Sequence, residues 1–239
     1  VELYDFGVTD DGTLYYAKEL LDGIDLESLV KRFGPMHPGR VLRLLAGVAS
    51  SLAEAHDLGL VHRDIKPANV YLCRVGIELD FPKLLDFGLV KPRVIAAEGP
   101  VSLAGTVSGS PGYIAPEHAM GQPLDGRADL YSLGCVMYFL LTGKRVFHRT
   151  TKQSLLEAHR TEDPMPPSLR APEREIPDAV EAIVMSLLSR DRERRPASAR
   201  HLLRLVEEAR AVCPPWTRTD AYAWWSAHLG VETKPELAL

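Results

Sequence analysis

Cysteine is scarce in this chain, basic charge is not in excess, and no apolar run is long enough to cross a bilayer. The three cysteines, Cys73, Cys135 and Cys213, are odd in number, far apart and without metal-ligand spacing. They exclude a disulfide scaffold and a zinc site, and read as buried free thiols in a reducing compartment. The 28 Lys and Arg residues are outnumbered by 32 Asp and Glu, giving a net charge of -4 with no basic cluster, so nucleic acid is excluded as a partner. The longest apolar stretch, residues 130–141, contains Ser132, Gly134 and two tyrosines and falls well short of the roughly 20 residues a membrane helix needs. It reads as a core helix, and no membrane segment is expected within this chain. No basic start followed by an apolar run and a small-residue cleavage site is present, and the first residue is Val1, so the chain reads as starting partway through a larger protein. The remainder, 239 residues at 46% hydrophobic and 25% charged, has ordinary globular composition for one large domain or two small ones.

Two β-rich runs, residues 1–8 and 13–20, flank Thr9-Asp10-Asp11-Gly12, whose Asp-Gly pair predicts an antiparallel hairpin. From 38 to 58 the apolar residues Leu42, Leu45, Ala46, Ala49, Leu52 and Ala53 recur at helical spacing, with Pro38 suited to the first turn and Gly59 to the stop. Short strands are predicted at 70–73 and 81–85. Residues 90–112, rich in Gly, Pro, Ser and Thr, form a long loop of the kind that is usually functional. Residues 129–141 are apolar on every side and predict a helix at the centre of the core. Amphipathic helices follow at 178–189 and 198–211, the second capped by Ser198, with the Pro-rich run 164–177 as a loop before them. A last short helix is expected from about Thr219, after the connector Pro214-Pro215.

The chemistry concentrates in Val61-His62-Arg63-Asp64-Ile65-Lys66-Pro67-Ala68-Asn69 and in Asp86-Phe87-Gly88 at the end of a predicted strand. Phosphoryl transfer needs a carboxylate to take the acceptor hydroxyl's proton, oxygen ligands for magnesium, and a cation for the moving charge. Asp64, Asn69 with Asp86, and Lys66 are residues of those types. A lone Asp in a loop more often caps a turn, but the combination argues against that reading here.

These segments, with Ala115-Pro116-Glu117 in the same order, resemble the eukaryotic-type protein kinases, in particular their bacterial serine/threonine branch. The likeness runs from the hairpin to about Ala211. It implies an α+β, protein kinase-like fold: a mainly helical large lobe with a remnant β-hairpin of the small lobe. Residues 1–20 would be that remnant with the hinge, 21–212 the large lobe, and 213–239 a helical extension or tail. Residue by residue, the resemblance makes Asp64 the catalytic base, Lys66 the phosphate-stabilising cation, Asn69 a metal ligand and Asp86 the principal one. Phe87 would set the active or inactive state. ATP with Mg2+, or Mn2+ in its place, is the implied cofactor set. Glu19 at the hinge, Asp25 at a ribose-binding position and Tyr71 on the adenine floor are the implied nucleotide contacts, although Asp25 equally suits an N-cap for residues 26–33. Asp64-Ile65-Lys66-Pro67 and Gly109-Ser110-Pro111-Gly112-Tyr113 match the serine/threonine pattern, so the acceptor would be a protein Ser or Thr hydroxyl. Ser110 stands in the substrate-facing loop where the family usually has threonine.

Arg63 beside Asp64 resembles kinases in which a basic pocket receives a phosphorylated activation loop. The corresponding phosphosite is Thr106, with Ser108 and Ser102 as neighbours, and pairing of two copies for autophosphorylation is implied. Asp129 would accept hydrogen bonds from catalytic-loop amides, and Glu117 would pair with Arg195.

Several family features have no counterpart. The Gly-x-Gly-x-x-Gly loop, the strand lysine and the helix glutamate should precede the hairpin, so roughly 70 to 100 residues are expected to be missing and the chain alone to be weak or inactive. Lys18 falls where an apolar residue usually backs the adenine; it reads either as reaching toward the missing lysine's space or as a snorkelling surface lysine. Ala68 replaces a glutamate that arginine-directed kinases carry. The domain is expected to be cytoplasmic. The rival reading is a noncatalytic pseudokinase or docking module.

Overall fold

A computed structural model describes residues 1–85 and 109–230. The chain opens with the expected hairpin, β1 (Leu3–Val8) against β2 (Leu14–Lys18), paired from Leu3↔Lys18 to Val8↔Leu14. Gly12 takes the positive φ of 83° that its turn requires, and Thr9 receives the returning amide of Thr13 on its hydroxyl. A second, three-stranded sheet has the order β3 (Gly23–Asp25), β4 (Val70–Val75), β5 (Glu78–Leu84), all antiparallel. Gly23 is required there, because a Cβ would lie 2.2 Å from the Leu72 carbonyl oxygen.

Helices make up most of the rest. α1 (Leu26–Phe33) starts at the Asp25 cap, where the carboxylate accepts from Ser28 N. α2 (Pro38–Asp57) is the long amphipathic helix, with Pro38 in its first turn and Gly59 at φ 73° just beyond its end. α3 (Pro116–Ala119) is a single turn. α4 (Gly126–Thr142) begins three residues earlier than its apolar run, because Asp125 caps it; every residue from Ala128 to Thr142 is buried. α5 (Lys152–Thr161), α7 (Asp178–Leu187) and α8 (Ala199–Val212, capped by Ser198) surround that axis. The Pro-rich stretch expected as a loop holds a short helix, α6 (Pro167–Arg170), since a proline at the first helical position gives up no intrahelical bond. α2 packs on α4 and α8, and α4 on α7. The α4–α7 approach depends on Gly134, whose Cβ would sit 2.7 Å from that of Leu187.

The last helix, α9 (Arg218–Leu229), starts one residue before the expected Thr219, behind a capping box of Thr217 and Asp220. It is fastened to the large lobe by a buried ion pair. Asp80, the third residue of β5 and 1% exposed, takes Arg40 of α2 on both oxygens, at 2.9 and 2.7 Å. The same carboxylate accepts Trp216 Nε1 at 2.8 Å and Trp225 Nε1 at 2.7 Å. The Arg40 guanidinium lies 3.9 Å from the Trp224 ring centre, a cation–π contact within the same cluster.

Candidate functional site

The site lies where the loop after α2 meets the strand β5. Asp129, in the first turn of α4, accepts His62 N and Arg63 N at 2.8 Å each, and His56 Nε2 lies 2.9 Å from the same carboxylate. Those bonds hold Arg63 at φ 67°, a left-handed conformation that costs a non-glycine residue energy and needs such support. His62 is fully buried. Its Nε2 is 2.8 Å from the Leu85 carbonyl and its Nδ1 is 3.3 Å from Asp64 N. A carbonyl only accepts and an amide only donates, so the ring is the neutral Nε2–H tautomer. Leu85 N in turn donates to the Asn69 carbonyl at 2.8 Å. The residue that precedes Asp86 is therefore pinned to the loop from both sides.

Within this frame the Asp64 carboxylate is half-buried and surrounded by donors. Lys66 Nζ is 2.8 Å and Asn69 Nδ2 3.2 Å from one oxygen; Ser110 Oγ is 3.1 Å from the other. Burial pushes the Asp64 carboxyl upward, but the Lys66 hydrogen bond and charge, with Ser110 and Asn69, outweigh it and hold it below the usual carboxylate range. Asp64 is thus an ionised acceptor at neutral pH, with a cation and a hydroxyl at its side. Because Asn69 spends its Nδ2 on Asp64, its side-chain Oδ1 remains as a hard oxygen donor, the type that magnesium takes. The donor chemistry of Asn69 and Asp86 therefore fits the implied metal.

The residues that the resemblance assigns to the nucleotide lie on or beside the second sheet. Asp25 is paired across the strands with Tyr71, and Tyr71 with Lys83, so the three side chains share one face. Glu19 forms a hydrogen bond to Lys83, and that contact keeps its carboxyl below the ordinary value. Lys83 is the residue of this group that sequence reasoning passed over, although its alternation with Phe81 in the predicted strand could have placed it there. Asp25 is committed through one oxygen to capping α1. Lys18 is exposed, its ammonium 5.5 Å from the Tyr16 ring centre.

Glu117 and Arg195 meet in a buried bidentate pair at 2.6 and 2.8 Å, and Arg195 also donates to the carbonyls of Ser189 and Arg127. Arg63 is exposed. Asp86, Thr106 and Ser108, like Phe87 and Ser102, lie outside the described residues.

The family model described as "Protein kinase domain" matches residues 1–205. Serine/threonine-protein kinase pkn3 of Myxococcus xanthus is 40% identical over 200 residues, covering 83% of this chain and 37% of that protein. Serine/threonine-protein kinase PknB of Mycolicibacterium smegmatis is 34% identical, covering 92% of this chain and 35% of that protein. The chain thus spans little more than a third of the length of these relatives. Among solved structures, the Mycobacterium tuberculosis PknI kinase domain superposes with a TM-score of 0.63 at 28% identity, covering 87% of this chain and 71% of that one.

Proposed function

Because the chain belongs to the protein kinase domain family, we propose that the protein to which it contributes transfers the γ-phosphate of ATP to Ser or Thr hydroxyls of a protein substrate. The observation that carries this reading is the arrangement at Asp64: an ionised carboxylate within hydrogen-bond reach of Lys66, Asn69 and Ser110. Asp64 accepts the proton of the acceptor hydroxyl. Lys66 offsets charge on the transferred group, and Ser110 holds the second carboxylate oxygen in orientation. Asn69 and Asp86 would hold magnesium, which when bound neutralises nucleotide phosphate charge. Glu19, Asp25 and Tyr71 are assigned to the nucleotide, and phosphorylation at Thr106, received by Arg63, to activation.

The hairpin supports assigning the rest of a small lobe, with its glycine-rich loop and lysine, to chain outside these residues. Phe6, Val8 and Leu14 are 74%, 61% and 65% exposed, and a two-stranded ribbon so exposed is marginal by itself. The division at residues 20 and 212 remains our assignment, with 213–229 packed on the large lobe.

The test is radiolabel transfer from Mg-ATP by the full-length protein, beside Asp64→Ala. A catalytic base contributes about 10²- to 10⁴-fold, so the variant should lose that much transfer while still binding ATP. No transfer by either protein despite ATP binding would leave the docking-module reading in its place, and equal transfer by both would remove Asp64 from the role of base.

A further inference from the structure

The turn that follows Ser110 faces an arginine that the proposed transfer reaction does not use and that has no ion-pair partner among the described residues. Ser110 is followed directly by the 3₁₀ turn Pro111–Tyr113, closed by Tyr113 N donating to the Ser110 carbonyl at 2.9 Å. Opposite that turn, α4 ends at Gly143, whose left-handed φ of 70° reverses the chain and delivers Lys144 and Arg145. Lys144 is taken up by the Arg170 carbonyl. Arg145 is exposed and lies across the turn: its guanidinium is 5.9 Å from the Tyr113 ring centre, and its Cδ is 3.6 Å from where a Cβ of Gly112 would be. The three atoms nearest that point all belong to Arg145, so the exposed Arg145 side chain lies directly against the turn that follows Ser110.

Four other arginines of this half of the lobe are neutralised internally, Arg127 by Asp125 and Glu193, Arg149 by Glu162, Arg190 by Asp163 and Arg195 by Glu117, while Arg174 is held by the Pro35 and Met36 carbonyls. Among the described residues no carboxylate lies within ion-pair distance of Arg145. Gly112 is two residues from Ser110, a span of at most about 7 Å of chain, and Ser110 touches Asp64. A peptide whose hydroxyl sits at Asp64 therefore brings its neighbours one to three residues away past Arg145.

We propose that Arg145 is a specificity-determining residue of this kinase, selecting protein substrates that carry an acidic side chain within three residues of the acceptor hydroxyl. The proposal rests on the kinase reading and adds the chemistry of its substrate. A guanidinium carries five N–H donors in a fixed fork, so beside its contact with Tyr113 it has donors left for a bidentate carboxylate or phosphate, which an ammonium could not match.

The experiment uses the full-length protein and a set of Ser peptides differing only at the three positions on either side of the acceptor, each set in turn to Asp, Ala, Lys or phosphoserine. The ratio of kcat/KM for Asp over Lys is read for the wild type, Arg145→Gln and Arg145→Glu. At one or more positions the wild type should favour Asp by about three- to tenfold, the worth of a partly exposed charged hydrogen bond. Arg145→Gln should level the ratio and Arg145→Glu invert it. A larger preference for phosphoserine at the same position supports the proposal with phosphate as the stronger anion. A ratio that is the same in all three proteins overturns it and leaves the kinase reading intact. No transfer by the wild type to any peptide or to itself overturns the kinase reading, and this proposal with it.

Discussion

Replacing Asp80 by asparagine should cost the large lobe about 3–5 kcal/mol, a large fraction of the 5–15 kcal/mol that holds an ordinary domain together. The carboxylate has four acceptor positions, and four donors fill them: two from Arg40 and one each from Trp216 and Trp225. An amide at the same place offers one oxygen, enough for two of those donors, and turns an NH2 toward the others. Arg40, 2% exposed, would then be a buried cation without a counter-charge. Burial already lowers the hold of its guanidinium on its proton, and Asp80 is what opposes this. Asparagine is the informative replacement because Asp80 sits at φ 59°, a conformation that Asn tolerates and Ala does not, so backbone strain does not enter. All three tryptophans of the chain, Trp216, Trp224 and Trp225, belong to this cluster, so their fluorescence in a urea titration follows it directly. The double variant Asp80→Asn with Arg40→Met should recover part of the loss, since removing both charges is far cheaper than removing one. A shift below about 1 kcal/mol for Asp80→Asn, or strict additivity in the double variant, would refute the view that charge pairing ties the tail to the lobe.

The remaining expectations concern separate parts of the molecule. Glu117→Ala strands the Arg195 guanidinium, which is fully buried in its side chain, and should cost about 3–5 kcal/mol in the same urea assay; a change within 0.5 kcal/mol of zero would be that of an ordinary surface site. His159 is held neutral against Tyr131 and Phe147, and burial pushes its imidazole from 6.5 down to about 4, with the Gly112 backbone opposing. Its folded value is depressed, so its contribution to stability is complete above pH 6.5, falls as the pH drops toward about 4, and amounts to about 3 kcal/mol. His159→Gln should flatten that part of the stability profile, and an unchanged slope between pH 6 and 4 would count against the assignment.

What could be read from the sequence, and what could not, follows the range of the interactions involved. α2 and α4 were legible because one face, or all faces, of a helix must be apolar to be buried, and that pattern is local. The hairpin was legible from Asp11-Gly12, and the caps at Asp25 and Ser198 from residue type alone. α5 was not: among its ten residues only Leu155, Ala158 and His159 are buried, too few to impose a period. β3 has three residues and exists because β4, from a distant part of the chain, supplies its partner. The same division runs through the site. Asp64, Lys66, Asn69 and Ser110 come together, and three of the four lie within six residues of one another, where spacing carries the chemistry. Asp129 acts from 66 and 67 residues away, and was found only through likeness to a family whose members share that arrangement. Lys83 meets Glu19 across 64 residues, and Asp80 takes its two indoles across 136 and 145, with no motif to announce either. Those long-range contacts bear on the site through β5, which runs from the tryptophan cluster directly into Leu85, the residue that His62 and Asn69 hold on either side. Loosening the tail therefore loosens the strand that leads into Asp86, and the stability of the Asp80 cluster is a condition for the geometry at Asp64.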